Sequence, residues 1–156
     1  MTTLLKVTSM QKAKVIAMVV CLLLTTRIES APLGVHKLAE VKLYDYGWQA
    51  DMGVLDLLAT AMQAETETVG YVIIYGGPRN IRGEVQRRIA CMKEYMLTRR
   101  GFSADQIVFI NGGYRTHATM EIWIASRGES KPLPTPTIDP KRVRERRGRI
   151  RYSCDA

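Results

Sequence analysis

Three arginines stand around one glycine-rich turn, Gly76-Gly77-Pro78-Arg79-Asn80-Ile81-Arg82-Gly83, with Arg88 a short way beyond it. The turn follows an apolar run and leads into a helical stretch. Unbonded backbone N–H groups and the positive end of a helix dipole attract anions at such a place. The planar fork of arginine matches a carboxylate or phosphate by paired hydrogen bonds. Arg79, Arg82 and Arg88, with the backbone of Gly76 and Gly77, are therefore the candidate ligand-binding residues, for a carboxylate ligand. The bland alternative is a tight turn carrying solvated arginines. The lysine and hydroxyl of a phosphate-binding P-loop are absent, so nucleotide hydrolysis is not supported.

No other grouping suggests catalysis. Ser103, Ser126, Ser130 and Ser153 fall in turns or tail, outside any Gly-x-Ser-x-Gly elbow. His117 reads as a surface histidine, and Asp45, Glu84, Glu94 and Glu121 are too scattered for paired-acid chemistry. His36 and His117 lie far apart, and no Cys-x-x-Cys pair exists, so neither a metal nor a cofactor is expected. Cys91 and Cys154 read as two unpaired thiols, with pairing left open, since an exported chain lives in an oxidising space. Tyr44, Tyr46 and Trp48 suit core packing and a lid over the following helix better than a sugar-stacking platform.

The elements that must position the arginines follow from periodicity. Val41 to Tyr46 alternates and ends at Gly47, as a strand does. Gln49 to Gln63 carries Met52, Leu55, Leu58, Ala59 and Met62 on one helical face, with Asp51 in its first turn. Val69 to Tyr75 is a continuous β-branched and aromatic run, the mark of a buried central strand. A second helix spans about Gly83 to Arg100, with Val85, Ile89, Met92 and Met96 in a stripe and Cys91 and Arg87 facing away. Ile107 to Asn111 and Thr119 to Ala125 are further strands. The order β-α-β-α-β-β implies an α+β two-layer sandwich, two helices packed on one face of a four-stranded mixed sheet. Ile73, Ile74, Ile89, Leu55 and Leu58 form the expected core.

The 156 residues carry a formal charge of +8, which favours acidic partners. Lys6, Lys12 and Lys14 precede the uncharged run Val15 to Leu24, and Ser30-Ala31 follows, as in a secretory signal. Glu29 departs from the small residue usual before such a cleavage site. The apolar run is short of the roughly twenty residues a spanning helix needs, so no transmembrane domain is expected in the mature chain. The organisation is 1–31 signal peptide, 32–40 linker, 41–126 folded domain, and 127–156 a Pro-rich and basic C-terminal tail. The segment Lys141 to Arg151, with seven Lys or Arg against Glu145, reads as solvated and mobile.

At the second helix, Arg87-Arg88-Ile89-Ala90-Cys91-Met92-Lys93-Glu94-Tyr95-Met96-Leu97 resembles the R-R-A-x-x-V-x-x-Y-L helix of the OmpA C-terminal-like, peptidoglycan-associated family. Arg100-Gly101-Phe102-Ser103-Ala104-Asp105-Gln106-Ile107 is similar to that family's turn into the next strand. Val72 to Gly77 sits where the family has an apolar strand ending in G-H/Y-T-D, and the element order is the family's too. The resemblance covers Val41 to Ser126. It implies a non-enzymatic periplasmic or otherwise extracytoplasmic envelope module that binds peptidoglycan stem peptide through an Asp and an Arg, or another anionic envelope component. Arg88 matches the arginine. Gly77-Pro78-Arg79 stands where the aspartate would be, leaving Asp45 or Glu84 as conceivable substitutes. A structural or interaction domain that lost the ligand site is the alternative. Nucleic acid, through the basic tail, ranks third.

Overall fold

The strand Val69 to Tyr75, apolar on both faces, requires cover on both sides, and its neighbours supply it. The computed structural model describes residues 34–43, 48–65, 67–150 and 152–154. The targeting segment and Asp45 lie outside them, as do Tyr44 and Tyr46. The elements are β1 (Val35–Lys42), α1 (Trp48–Ala64), β2 (Thr68–Gly76), α2 (Glu84–Glu94), β3 (Ile107–Tyr114) and β4 (Thr119–Ser126). After Glu94, α2 widens into a π-helical turn, Tyr95–Arg99, and stops at Gly101, whose φ of 73° suits a residue without a Cβ.

The strands form one mixed sheet in the order β1-β4-β2-β3. The central strand β2 pairs antiparallel with β4, from Thr68↔Ser126 to Tyr75↔Thr119. It pairs parallel with β3, from Gly70↔Ile107 to Ile74↔Asn111. The expected α+β class, with two helices and a four-stranded mixed sheet, is what the structure shows. β1 pairs with β4 at the sheet's edge and begins at Val35, inside the stretch read as a linker. Its exposed His36, Lys37 and Leu38 obscure the strand pattern. Lysine on an edge strand also discourages pairing with a further chain.

Leu55, Leu58 and Met62 of α1 and Met92 and Met96 of α2 pack on Val72, Ile74, Met120, Ile122 and Ile124 of the sheet. α1 lies so close to β2 that a Cβ on Gly70 would stand 2.5 Å from Met62 Sδ. Full burial of Leu58 contributes about 1.5–3 kcal/mol relative to exposure. Two core expectations need correction. Ile73 is fully buried, but adjacent strand residues point to opposite faces, so it lies with Tyr75 on the side away from the helices. Ile89 is only half-buried, because the buried stripe of α2 is rotated to include Arg88, Cys91 and Tyr95.

The C-terminal segment covers part of that stripe, with Tyr152 on Arg88 and Cys154 on Cys91. Instead of a solvated tail, it wraps the domain. Beside the far face of the sheet, Pro132 is buried and the Thr135 N–H donates to Tyr75 Oη at 3.0 Å. Thr137 and Ile138 then donate from their backbones to the Tyr114 carbonyl. Arg146 pairs with the turn beyond β2, accepting from Arg82 N and donating to Asn80 O. Tyr152 and Cys154 finally reach the helices. Cys154 forms a disulfide with Cys91, with Cα atoms 5.2 Å apart, so the reading of two unpaired thiols is corrected.

Candidate functional site

The two glycines at the end of β2 stand where neighbours approach closely. A Cβ on Gly76 would stand 3.0 Å from the Tyr114 ring, and one on Gly77 would stand 3.1 Å from Ala118 N. The chain then turns. Asn80 Oδ1 accepts from Gly77 N at 3.0 Å, and Gly83, at φ 82°, swings the backbone into α2. The Glu84 carboxylate reaches back to accept from Ile81 N at 3.0 Å. One N–H at the mouth of the helix therefore already has an anionic partner within the chain.

Above this turn opens a cleft of about 920 Å3. Three arginines line it, Arg79 from the turn, Arg88 from one turn inside α2 and Arg146 from the C-terminal segment, against the single carboxylate of Glu84. His117, an exposed residue between β3 and β4, stands at the wall, and the Tyr152 ring lies beside Arg88. Among the described residues no three His, Cys, Asp or Glu side chains converge as a metal site would need, and no helix is long and apolar enough to cross a membrane.

Arg88 is the deepest of the cations, with its side chain 9% exposed. Its Nη1 lies 3.4 and 3.3 Å from the two carboxylate oxygens of Asp51 in the first turn of α1. Tyr152 Oη donates to the same carboxylate at 2.6 Å, while its ring lies 4.5 Å from the Arg88 guanidinium carbon. Burial pushes the Asp51 carboxyl above its ordinary range, outweighing the opposing pull of Arg88 and the Tyr152 hydrogen bond. Burial and the neighbouring carboxylate raise the Tyr152 hydroxyl as well.

Of the five sequence candidates, Arg79, Arg88 and Gly77 line the cleft. Gly76 lies beneath the Tyr114 ring, and Arg82 contributes a backbone donor to Arg146 while its side chain is exposed outside the cleft wall. Asp51, Arg146 and Tyr152 were missed. Asp51 left a signal, for it shares a helical stripe with Leu55, Leu58 and Met62, where an acid must find a buried partner. Tyr152 and Cys154, an aromatic and a thiol closing a basic run, were the signs of an anchor.

No family model, no curated protein and no solved structure matches the chain.

Proposed function

We propose that this chain is a non-enzymatic binding module of the cell envelope, of the OmpA C-terminal-like plan, whose cleft holds a carboxylate of a peptidoglycan stem peptide against Arg88. The observation that carries the reading is Arg88 itself, a nearly buried guanidinium on the wall of a cleft. The residue that matches the family's ligand arginine thus has a carboxylate beside it, Asp51, although the turn beyond β2 holds no acid. Export is supported by the Cys91–Cys154 disulfide, a bond that persists in oxidising compartments.

One observation favours the second reading, a scaffold that has lost its ligand. Asp51 and Tyr152 already engage Arg88 from within the chain. Calorimetry with a diaminopimelate-containing stem peptide separates the two. Binding that weakens about tenfold or more in Arg88→Ala matches a charged hydrogen bond contributing about 1.5–3 kcal/mol. Absence of binding by the intact chain at millimolar peptide leaves the scaffold reading.

A further inference from the structure

The basic C-terminal segment is held in register beside the arginine-bearing turn. Arg146 is bonded to that turn on both sides, its N–H to Asn80 O at 2.9 Å and its carbonyl to Arg82 N at 3.1 Å. Gly148 and Ile150 lie against Ile81 and Gly83. The segment is tied upstream at Tyr114 and downstream by the disulfide at Cys154. Two runs of arginine distant in sequence thereby become one rim, Arg79 and Arg82 on the turn and Arg144, Arg146, Arg147 and Arg149 on the segment.

Neither acid within these two stretches is bonded to a rim arginine. Glu145, within the basic run, accepts from Tyr114 Oη at 2.6 Å, and Glu84 accepts from Ile81 N. Among the described residues none of the six rim arginines is ion-paired, whereas Arg88, Arg100, Arg115 and Arg127 each are. Concentrating unpaired like charges costs free energy through self-repulsion, which a bound polyanion relieves. Each guanidinium fork donates two hydrogen bonds to one phosphate, and a rim of six suits an anion that repeats its charge along a chain.

We propose that this rim binds a linear phosphodiester polymer, read through its phosphates. The site is separate from the stem-peptide reading, since four of the six rim arginines lie off the cleft and only Arg79 and Arg146 line it as well. The test uses the full, disulfide-bonded chain with three probes by fluorescence anisotropy: a thymidylate oligonucleotide, a poly(glycerol phosphate) and a polyglutamate of similar length. The phosphodiester polymers bind, and polyglutamate binds at least tenfold more weakly. For the oligonucleotide the salt slope reports about 0.7 per phosphate contact, so R144A/R147A/R149A lowers it by about 2 and weakens binding tenfold or more. R87A/K93A/R99A, which removes equal charge from the exposed side of α2, changes binding less than threefold. Binding to one phosphodiester alone identifies its source and still supports the rim. Polyglutamate binding equally well, equal losses in the two triple variants, or no salt-dependent binding to either phosphodiester overturns the proposal. Stem-peptide affinity is unaffected by R144A/R147A/R149A, so the two readings fail independently.

Discussion

Asp51 and Glu121 are both buried carboxylates facing arginine, yet their environments push them in opposite directions. Glu121, on β4 and on the sheet face away from the helices, accepts from Lys37 Nζ at 2.8 Å, Arg115 Nη2 at 2.9 Å, Tyr75 Oη at 3.0 Å and Trp123 Nε1 at 3.3 Å. Together these donors outweigh burial and hold its carboxyl at about 2. Asp51 has one cation, at more than 3 Å, and one hydroxyl, and there burial wins. Donor count decides the sign. The satisfied cluster beside the Pro-rich segment is a closed structural device. The undersupplied one borders the cleft, and perturbed groups of that kind gather at functional sites.

The largest effect that tests this contrast comes from the disulfide. Cys154→Ser frees a loop closed across 63 residues, which the chain-entropy model values at about 4 kcal/mol. Urea unfolding measures the loss. Hydrogen exchange must then rise around Asp51 and the start of α2 while β4 around Glu121 stays protected; equal loosening of both breaks the distinction.

Glu121→Gln comes next, at about 3 kcal/mol, because Lys37 and Arg115 lose their shared anion. The pH profile carries the same signature. The Glu121 carboxyl is held below its ordinary 4.5 in the folded chain, so its contribution is complete above about 4.5. It is lost as pH falls toward about 2, a decline of about 3 kcal/mol. Asp51 acts with the opposite sign, since its raised carboxyl favours the folded state in acid and loses that advantage as pH rises through its folded value. Denaturation followed from pH 6 to pH 2 should lose most of its acid decline in Glu121→Gln, and a persistent decline would place its cause elsewhere.

Arg88→Ala is smaller, about 1–2 kcal/mol at neutral pH, because burial already favours the neutral form of Asp51 and softens the loss of its cation. That deficit shrinks at acid pH, where the carboxyl is neutral, and grows as pH rises. A deficit independent of pH means that Asp51 does not titrate as described. Smallest are Tyr75→Phe and Tyr152→Phe, each about 1 kcal/mol. The first removes the hydroxyl shared by Glu121 and Thr135, the second the donor to Asp51. Only the second should change affinity for a stem peptide, measured by the same calorimetry.

Much of the layout was legible along the chain. The helical spacing of Leu55, Leu58 and Met62, the unbroken apolar run of β2 and the alternation of β4 placed helices and strands to within a few residues. β1 was displaced because an edge strand with one partner is exposed along most of its length, which blurs its apolar alternation. In the candidate site, Arg79, Arg88 and Gly77 were found from residue type and spacing. Asp51 and Tyr152 were not, since their partners lie 37 and 101 residues apart in sequence, for Arg88–Asp51 and Tyr152–Asp51 respectively.

By itself, the sequence determined which segments are helix and strand, because hydrophobic periodicity is a local property that each segment expresses alone. Only the tertiary structure decided which face of α2 is inside, that Cys91 meets Cys154, and that the proline-rich and basic segment is a wrapping strap. Composition marks that strap as solvent-loving, and Pro132, Tyr152 and Cys154 are among its few signs of attachment. Each becomes buried or partly so because a distant surface is present to receive it. Such pairings depend on the folded path of the whole chain, and local pattern carries no record of it.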